Sequence, residues 1–281
     1  MTRPLRVVVV YPDLLGTYGD GGNGLVLARR AEWRGYPVEL VESPSDVALP
    51  DADLYCVGGG EDGPQVQAAR ALIADGTLAR RTADGAVVLA VCAGYQIVGR
   101  SFPGADGEAQ AGVGLLPVTT NRVAQPRAVG EVVAEPLTLD LPTLTGFENH
   151  GGRSTLEPGG VALARVCVGV GNGDAEASEL SGGPAASGPS DGSEVTVATE
   201  GAVAGRVVGT YLHGPVLARN PALADVLLSW ALNDAELAPL DDQAEESLRS
   251  ERLEFAGRSG RFGRSGRSRR SRRSDRTASP G

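Results

Sequence analysis

The stretch that most restricts this chain is Ala86-Val-Val-Leu-Ala-Val-Cys-Ala-Gly-Tyr-Gln96, where an unbroken apolar run passes directly into a cysteine and then into small residues. A strand that is apolar on both faces is covered on both faces, which is the condition of a parallel sheet. Ala93 and Gly94 permit a sharp turn from strand into helix. The cysteine then lies outside the carboxyl end of the strand, where open α/β sheets put their working sites. Cys92 is therefore the candidate nucleophile, whereas Cys56 and Cys167, inside apolar runs, read as small hydrophobes.

The same alternation recurs along the first half. Leu5 to Tyr11 is a β-branched run followed by the glycine-rich turn Gly19-Asp-Gly-Gly-Asn23 and a helical pattern that Asn23 can cap and Gly35 can end. Residues 37–41 and 54–57 are further strands, and Pro64 sits in the first turn expected of a helix continuing over 66–74. Aromatic residues are only 4% of the chain, so the core is built from Val, Leu and Ala. Strands alternating with helices predict an α/β fold with a mostly parallel, doubly wound sheet.

The second half offers short strands at 113–119, 127–134, 161–170, 195–199 and 203–211, expected to pair as hairpins on the flank of that sheet. Residues 171–193 are Gly, Ser, Pro and Asp-rich and read as a mobile insertion within a single domain spanning 1–254. Pro221 to Leu232 is an amphipathic helix, and 241–255 a further one. Residues 255–281 carry nine arginines against Asp275 and no apolar period, so this tail is expected to be disordered. Its charge suits anionic surfaces. The remainder is strongly acidic, which argues against nucleic-acid binding.

Function classes narrow by what is missing. The chain has no lysine, which excludes a Schiff base and the usual phosphate-binding lysine of a P-loop, so an ATP-dependent step belongs to another chain. Three widely spaced cysteines and two histidines suggest neither a disulfide framework nor a metal site, and fit a reducing cytoplasm. The run at Val7 to Val10 is too short for a signal peptide, and nothing reaches the length needed to span a bilayer.

A thiol nucleophile needs a base, and only His150 and His213 are available. His213 follows the strand run Val207 to Leu212 and is favoured; His150, in Glu148-Asn-His-Gly-Gly-Arg153, is assigned to a polar loop. Acyl chemistry also needs donors for an oxyanion, and Gly59 or Gly60 together with the Ala93 N–H are the candidates.

Together these residues resemble the class I glutamine amidotransferases. Val57-Gly-Gly-Gly60, Val91-Cys-Ala-Gly-Tyr-Gln96 and Gly209-Thr-Tyr-Leu-His-Gly-Pro215 look like the cobyric-acid-synthase (CobB/CobQ) branch, and Tyr18-Gly-Asp-Gly-Gly-Asn23 and Glu148-Asn-His-Gly-Gly-Arg153 look like its GatD-like subgroup of glutaminase subunits. The resemblance implies a flavodoxin-like three-layer fold in which Cys92 attacks L-glutamine, forms a glutamyl thioester and releases ammonia while His213 shuttles the proton. It also implies that Arg127 holds the substrate, as an arginine fork suits an α-carboxylate. The partner it implies is a Mur-ligase-like subunit, MurT, in a heterodimer that carries ATP and Mg and amidates the D-glutamate of lipid II to D-isoglutamine in peptidoglycan synthesis.

Many class members carry a glutamate two residues after the histidine; here that residue is Pro215. No third member of a triad is visible, and the subgroup implies that the partner supplies an acid, so weak activity is expected of the isolated chain. The alternatives are a glutaminase of a cobyric-acid-type synthase and a non-catalytic scaffold subunit with an amidotransferase-like fold.

Overall fold

The computed structural model describes residues 3–173 and 197–267, with side chains described up to residue 256. Its centre is a six-stranded sheet made by β1 (Leu5–Val10), β2 (Val38–Ser43), β3 (Leu54–Val57), β4 (Val87–Val91), β13 (Ala202–Ala204) and β14 (Val207–Thr210). The strand order is β13-β14-β4-β3-β1-β2, parallel throughout except for the hairpin partner β13. Every residue of β3, β4 and β14 is buried, as expected of strands covered on both faces.

The chain runs outward from β1 to β2, then returns to build β3 and β4 on the other side. Right-handed crossovers consequently put α1 (Gly22–Trp33) on one face and α2 (Asp62–Asp75) with α3 (Thr77–Ala83) on the opposite one. With α4 (Ala93–Val98) beside α2, and α5 (Val216–Arg219) and α6 (Pro221–Ala231) beside α1, three layers result. The switch point lies between β1 and β3, and the carboxyl ends of β1, β3, β4 and β14 open toward the same edge.

Two further four-stranded sheets flank this core and incorporate the hairpins expected from the sequence. One has the order β10-β7-β5-β6 and the other β12-β11-β8-β9. They comprise β5 (Ser101–Pro103), β6 (Ala109–Ala111), β7 (Val118–Arg122), β8 (Ala128–Pro136), β9 (Leu144–His150), β10 (Gly152–Leu156), β11 (Ala164–Val168) and β12 (Thr199–Glu200).

Several local expectations need correction. The segment assigned to a polar loop is the end of β9 and the start of β10, because its polar side chains find partners inside the fold. Asn23 does not cap α1; it lies within the helix, and its Oδ1 accepts the Leu217 N–H 3.1 Å away. The expected insertion begins late, since Gly171 and Asn172 are buried and Asn172 Nδ2 donates to Gly201 O at 2.9 Å; residues 174–193 lie outside the described residues. Cys167 is exposed rather than a core hydrophobe, while Cys56 is buried.

At the carboxyl end, α7 runs from Gln243 to Arg267, into the stretch expected to lack structure, and residues 268–281 lie outside the described residues. The segment leading into α7 is tied down by Arg30, a buried guanidinium of α1 that pairs with Asp225 of α6 and Asp242.

Candidate active site

Cys92 joins β4 to α4 with a backbone of φ 54° and ψ −106°, a region that costs a non-glycine residue of the order of 1–3 kcal/mol. The turn is held by the Cys92 N–H to Thr210 O at 2.8 Å and the Gly94 N–H to Gly58 O at 3.1 Å. Gly94 is required, because a Cβ there would sit 2.3 Å from the Val57 carbonyl oxygen. The local order of strand, cysteine and small residues thus presents the thiol at the sheet edge. Its Sγ lies 3.9 Å from the main-chain carbonyl of Asn149.

His213 follows β14 and is locked in place by a reciprocal main-chain pair with Phe147 of β9, with N–H to O distances of 2.8 and 3.2 Å. Its Nδ1 meets Asp20 at 3.1 Å from Oδ2 and 3.2 Å from Oδ1, and Asp20 is itself buried. Asp20 belongs to the glycine-rich turn after β1, and the Gly59 N–H fixes its Oδ2 at 2.9 Å. A carboxylate of this chain therefore stands on His213, where the sequence showed no candidate for a third member. The carboxylate was missed because 193 residues separate it from the histidine.

The glycine run after β3 has a different role from the one expected at Gly59. Its N–H is committed to Asp20, and a Cβ on it would stand 2.8 Å from His213 Cε1 and 3.0 Å from Asp20 Oδ2. Glycine is what allows the acid, the imidazole and the β3 loop to converge. Among the expected oxyanion donors, Gly60 and Ala93 line the cavity beside Cys92.

Burial opposes a charge on His213, but the hydrogen bond to Asp20 and the adjacent Cys92 outweigh it and push the imidazole up to about 10. At neutral pH the ring is therefore an imidazolium beside the thiol. Its Nε2 is buried and finds no nitrogen or oxygen partner among the described residues. The Tyr18 ring packs against the imidazole with centroids 4.9 Å apart, and the Tyr18 hydroxyl donates to Glu61 Oε1 at 3.0 Å.

His150 is not at His213's position but forms a second histidine–carboxylate pair. Its Nε2 lies 3.2 Å from Glu148 Oε2, its Nδ1 lies 2.9 Å from the Gly152 carbonyl, and its ring stacks on Tyr211 with centroids 3.7 Å apart. The Tyr211 hydroxyl accepts from Gln96 Nε2 at 3.0 Å and lies 2.8 Å from Ser154 Oγ, and burial raises its pKa. Gln96 Oε1 in turn accepts from Gln65 at 2.8 Å. A connected polar network therefore backs the site.

Cys92, Gly60, Ala93, Arg127 and His150 line one cavity of about 250 Å³, together with Gln65, Gln96, Arg122 and Asp62. Arg127, just before β8, donates from Nε to Asn149 Oδ1 at 2.5 Å and from a terminal nitrogen to Asn149 O at 2.9 Å. Chemically, the arrangement combines a thiol, an imidazolium oriented by a carboxylate, main-chain donors and a cationic wall. That is the equipment for acyl transfer from a small polar carbonyl compound through a thiolate. Among the described residues there is no group of three or more His, Cys, Asp or Glu arranged to hold a metal ion, and no helix is long and apolar enough to cross a membrane.

The model of the CobB/CobQ-like glutamine amidotransferase domain matches residues 6–221. Over 253 residues the chain is 31% identical to a Staphylococcus aureus protein named lipid II isoglutaminyl synthase (glutamine-hydrolyzing) subunit GatD, covering 88% of this chain and 93% of that one. The Streptococcus pneumoniae protein of the same name is 30% identical, with 88% and 90% covered. A Streptomyces coelicolor cobyric acid synthase is 34% identical over 59% of this chain but only 31% of its own length.

Proposed function

As a member of the CobB/CobQ-like glutamine amidotransferase family, to which this chain belongs, the protein is a glutamine-hydrolysing amidotransferase, and we propose that it is the glutaminase subunit of a lipid II isoglutaminyl synthase. Both relatives that carry that name match along nearly their whole length. The cobyric acid synthase, by contrast, is more than three times longer than the part that matches.

The reaction we infer begins with L-glutamine in the cavity, its α-carboxylate drawn to Arg127. The Cys92 thiolate attacks the side-chain carbonyl carbon. The Gly60 and Ala93 N–H groups stabilise the oxyanion that develops. As the C–N bond breaks, the electron pair goes to nitrogen and His213 Nε2 gives it a proton, so ammonia leaves and a glutamyl thioester remains on Cys92. Water then attacks the thioester; His213 takes its proton, and glutamate departs as the thiolate is regenerated. Asp20 holds the ring in the tautomer and orientation that both half-reactions need.

Ammonia is consumed by a Mur-ligase-like partner, MurT, which forms a heterodimer with this chain. That subunit binds ATP and Mg, activates the D-glutamate carboxylate of lipid II and yields D-isoglutamine. The absence of lysine from this chain supports that division of labour. The single observation that carries the reading is the Asp20–His213 pair set beside a strained Cys92 at the sheet edge; a scaffold has no need of either.

The test is reconstitution with a Mur-ligase-like subunit, ATP, Mg and lipid II. Cys92→Ala is expected to abolish amidation from glutamine and to preserve amidation from added ammonium. Loss of both, or of neither, contradicts the proposal.

A further inference from the structure

We propose that the main-chain carbonyl of Asn149 is the group that recognises the substrate as an amide, accepting an N–H from the nitrogen that is to leave. This inference rests on the glutaminase reading and assigns a new element of its specificity. The oxygen is a main-chain acceptor in contact with the nucleophile, 3.9 Å from Cys92 Sγ. An amide bound for attack points its oxygen toward the N–H donors of Gly60 and Ala93. Its nitrogen then carries two N–H groups that need an acceptor on the other side of the sulfur.

The carbonyl has two lone pairs, and the structure uses them distinctly. One accepts the Arg127 N–H at 2.9 Å; the other faces the thiol. Entry of substrate sets an N–H against this lone pair, beside the sulfur. As the nitrogen gains its third proton and leaves as ammonia, the acceptor becomes more favourable, so the interaction strengthens along the reaction. Asn149 takes no proton and forms no bond. A carboxylate or ester oxygen in the same place meets a carbonyl oxygen and is repelled, which disfavours rebinding of the product glutamate.

The surroundings of this carbonyl are built for position. Alternation along β9 turns Glu148 and His150 inward and leaves Asn149 between them, on the side of Arg127. Glu148 is buried and anchored by the Val170 and Gly171 N–H groups at 2.8 and 2.9 Å. His150 then ties Glu148 to the Gly152 carbonyl on the far side of Asn149. One nitrogen of that ring faces a carbonyl and the other a carboxylate, so both of its polar atoms are engaged on the β9–β10 corner. Phe147, three residues before His150, is paired to His213, so acceptor and proton donor move as one unit. Glu148 and His150 are accordingly positioning residues.

The experiment compares kcat/KM of the full chain for L-glutamine and for L-glutamate γ-methyl ester, which keeps the carbonyl and both α-substituents but offers no N–H. Glu148→Gln puts an N–H where Gly171 and His150 need an acceptor, releasing the end of β9. Asn149→Ala removes the side-chain half of the Arg127 clamp without touching the buried pair, and guards against a folding defect in the first variant. In each, the rate on glutamine is expected to fall about tenfold more than the rate on the ester, beyond any fall that a loosened Arg127 imposes on both. A parallel fall on both substrates, or no fall on glutamine, overturns the inference and leaves the glutaminase reading intact. Failure of the wild-type chain to cleave either substrate, even with the partner subunit added, overturns both.

Discussion

Asp20 Oδ2 lies 3.1 Å from His213 Nδ1, although one follows the first strand of the sheet and the other the last of its parallel strands. The contact exists because β1 and β14 end at the same edge, and because Gly59 between them has no side chain to hold them apart. An imidazole with a carboxylate on Nδ1 keeps Nε2 for the chemistry.

Asp20→Asn therefore tests whether the orienter lies within this chain. The amide preserves the shape but not the charge. Glutaminase kcat is expected to fall by about a hundredfold or more with KM little changed. A near-normal kcat from steady-state ammonia release shows that the ring is oriented by another group.

The same pair sets a pH dependence. His213 is raised from 6.5 to about 10, so its favourable interaction is fully present below pH 6.5 and is lost as pH climbs through about 10. Thermal melting of wild type against Asp20→Asn is expected to differ most near pH 6 and to converge toward pH 10. A difference that grows with pH contradicts this sign. The alkaline limb of kcat/KM should also move to lower pH in the variant.

Glu200 provides a stability prediction of opposite origin. Burial raises its carboxyl from 4.5 to about 7 against the hydrogen bonds from Thr210 and Tyr211 that favour the ion. The folded state thus holds the proton more firmly than the unfolded chain, and stability declines as pH rises from about 4.5 through 7. Glu200→Gln keeps an acceptor for Thr210 and Tyr211 and cannot ionise. Its Tm relative to wild type should increase between pH 5 and pH 8; a constant difference would show that Glu200 does not titrate in that window.

Arg30 is 2% exposed and meets two carboxylates that come from α6 and from the approach to α7. Removing the guanidinium leaves Asp242 without its ion-pair partner while Asp225 keeps Arg34, at a cost of about 3 kcal/mol, the low end for a broken buried pair. Arg30→Ala is expected to lose that amount in urea unfolding. A loss below about 1 kcal/mol would place the cluster among surface ion pairs in its effect.

What could be read from the sequence was local. Apolar runs of β-branched residues located β1, β3 and β4, and the abrupt passage from Val91 to Ala93 located the elbow at Cys92. Asp20 was inside a motif already singled out as glycine-rich, yet nothing nearby reveals where its side chain points; that depends on how β14 is placed in the sheet. Residues 148–153 were misread because a buried strand is ordinarily recognised by apolar side chains. Glu148 and His150 are buried by pairing with each other and with main-chain N–H groups, which no periodicity records.

Ammonia release from L-glutamine by the purified full chain, wild type against Cys92→Ala, with and without a Mur-ligase-like partner, bears most directly on the central claim. The account predicts release by the wild type, its loss in the variant, and an increase when the partner is added. Equal release by wild type and variant, or none from the wild type even with the partner present, would contradict it.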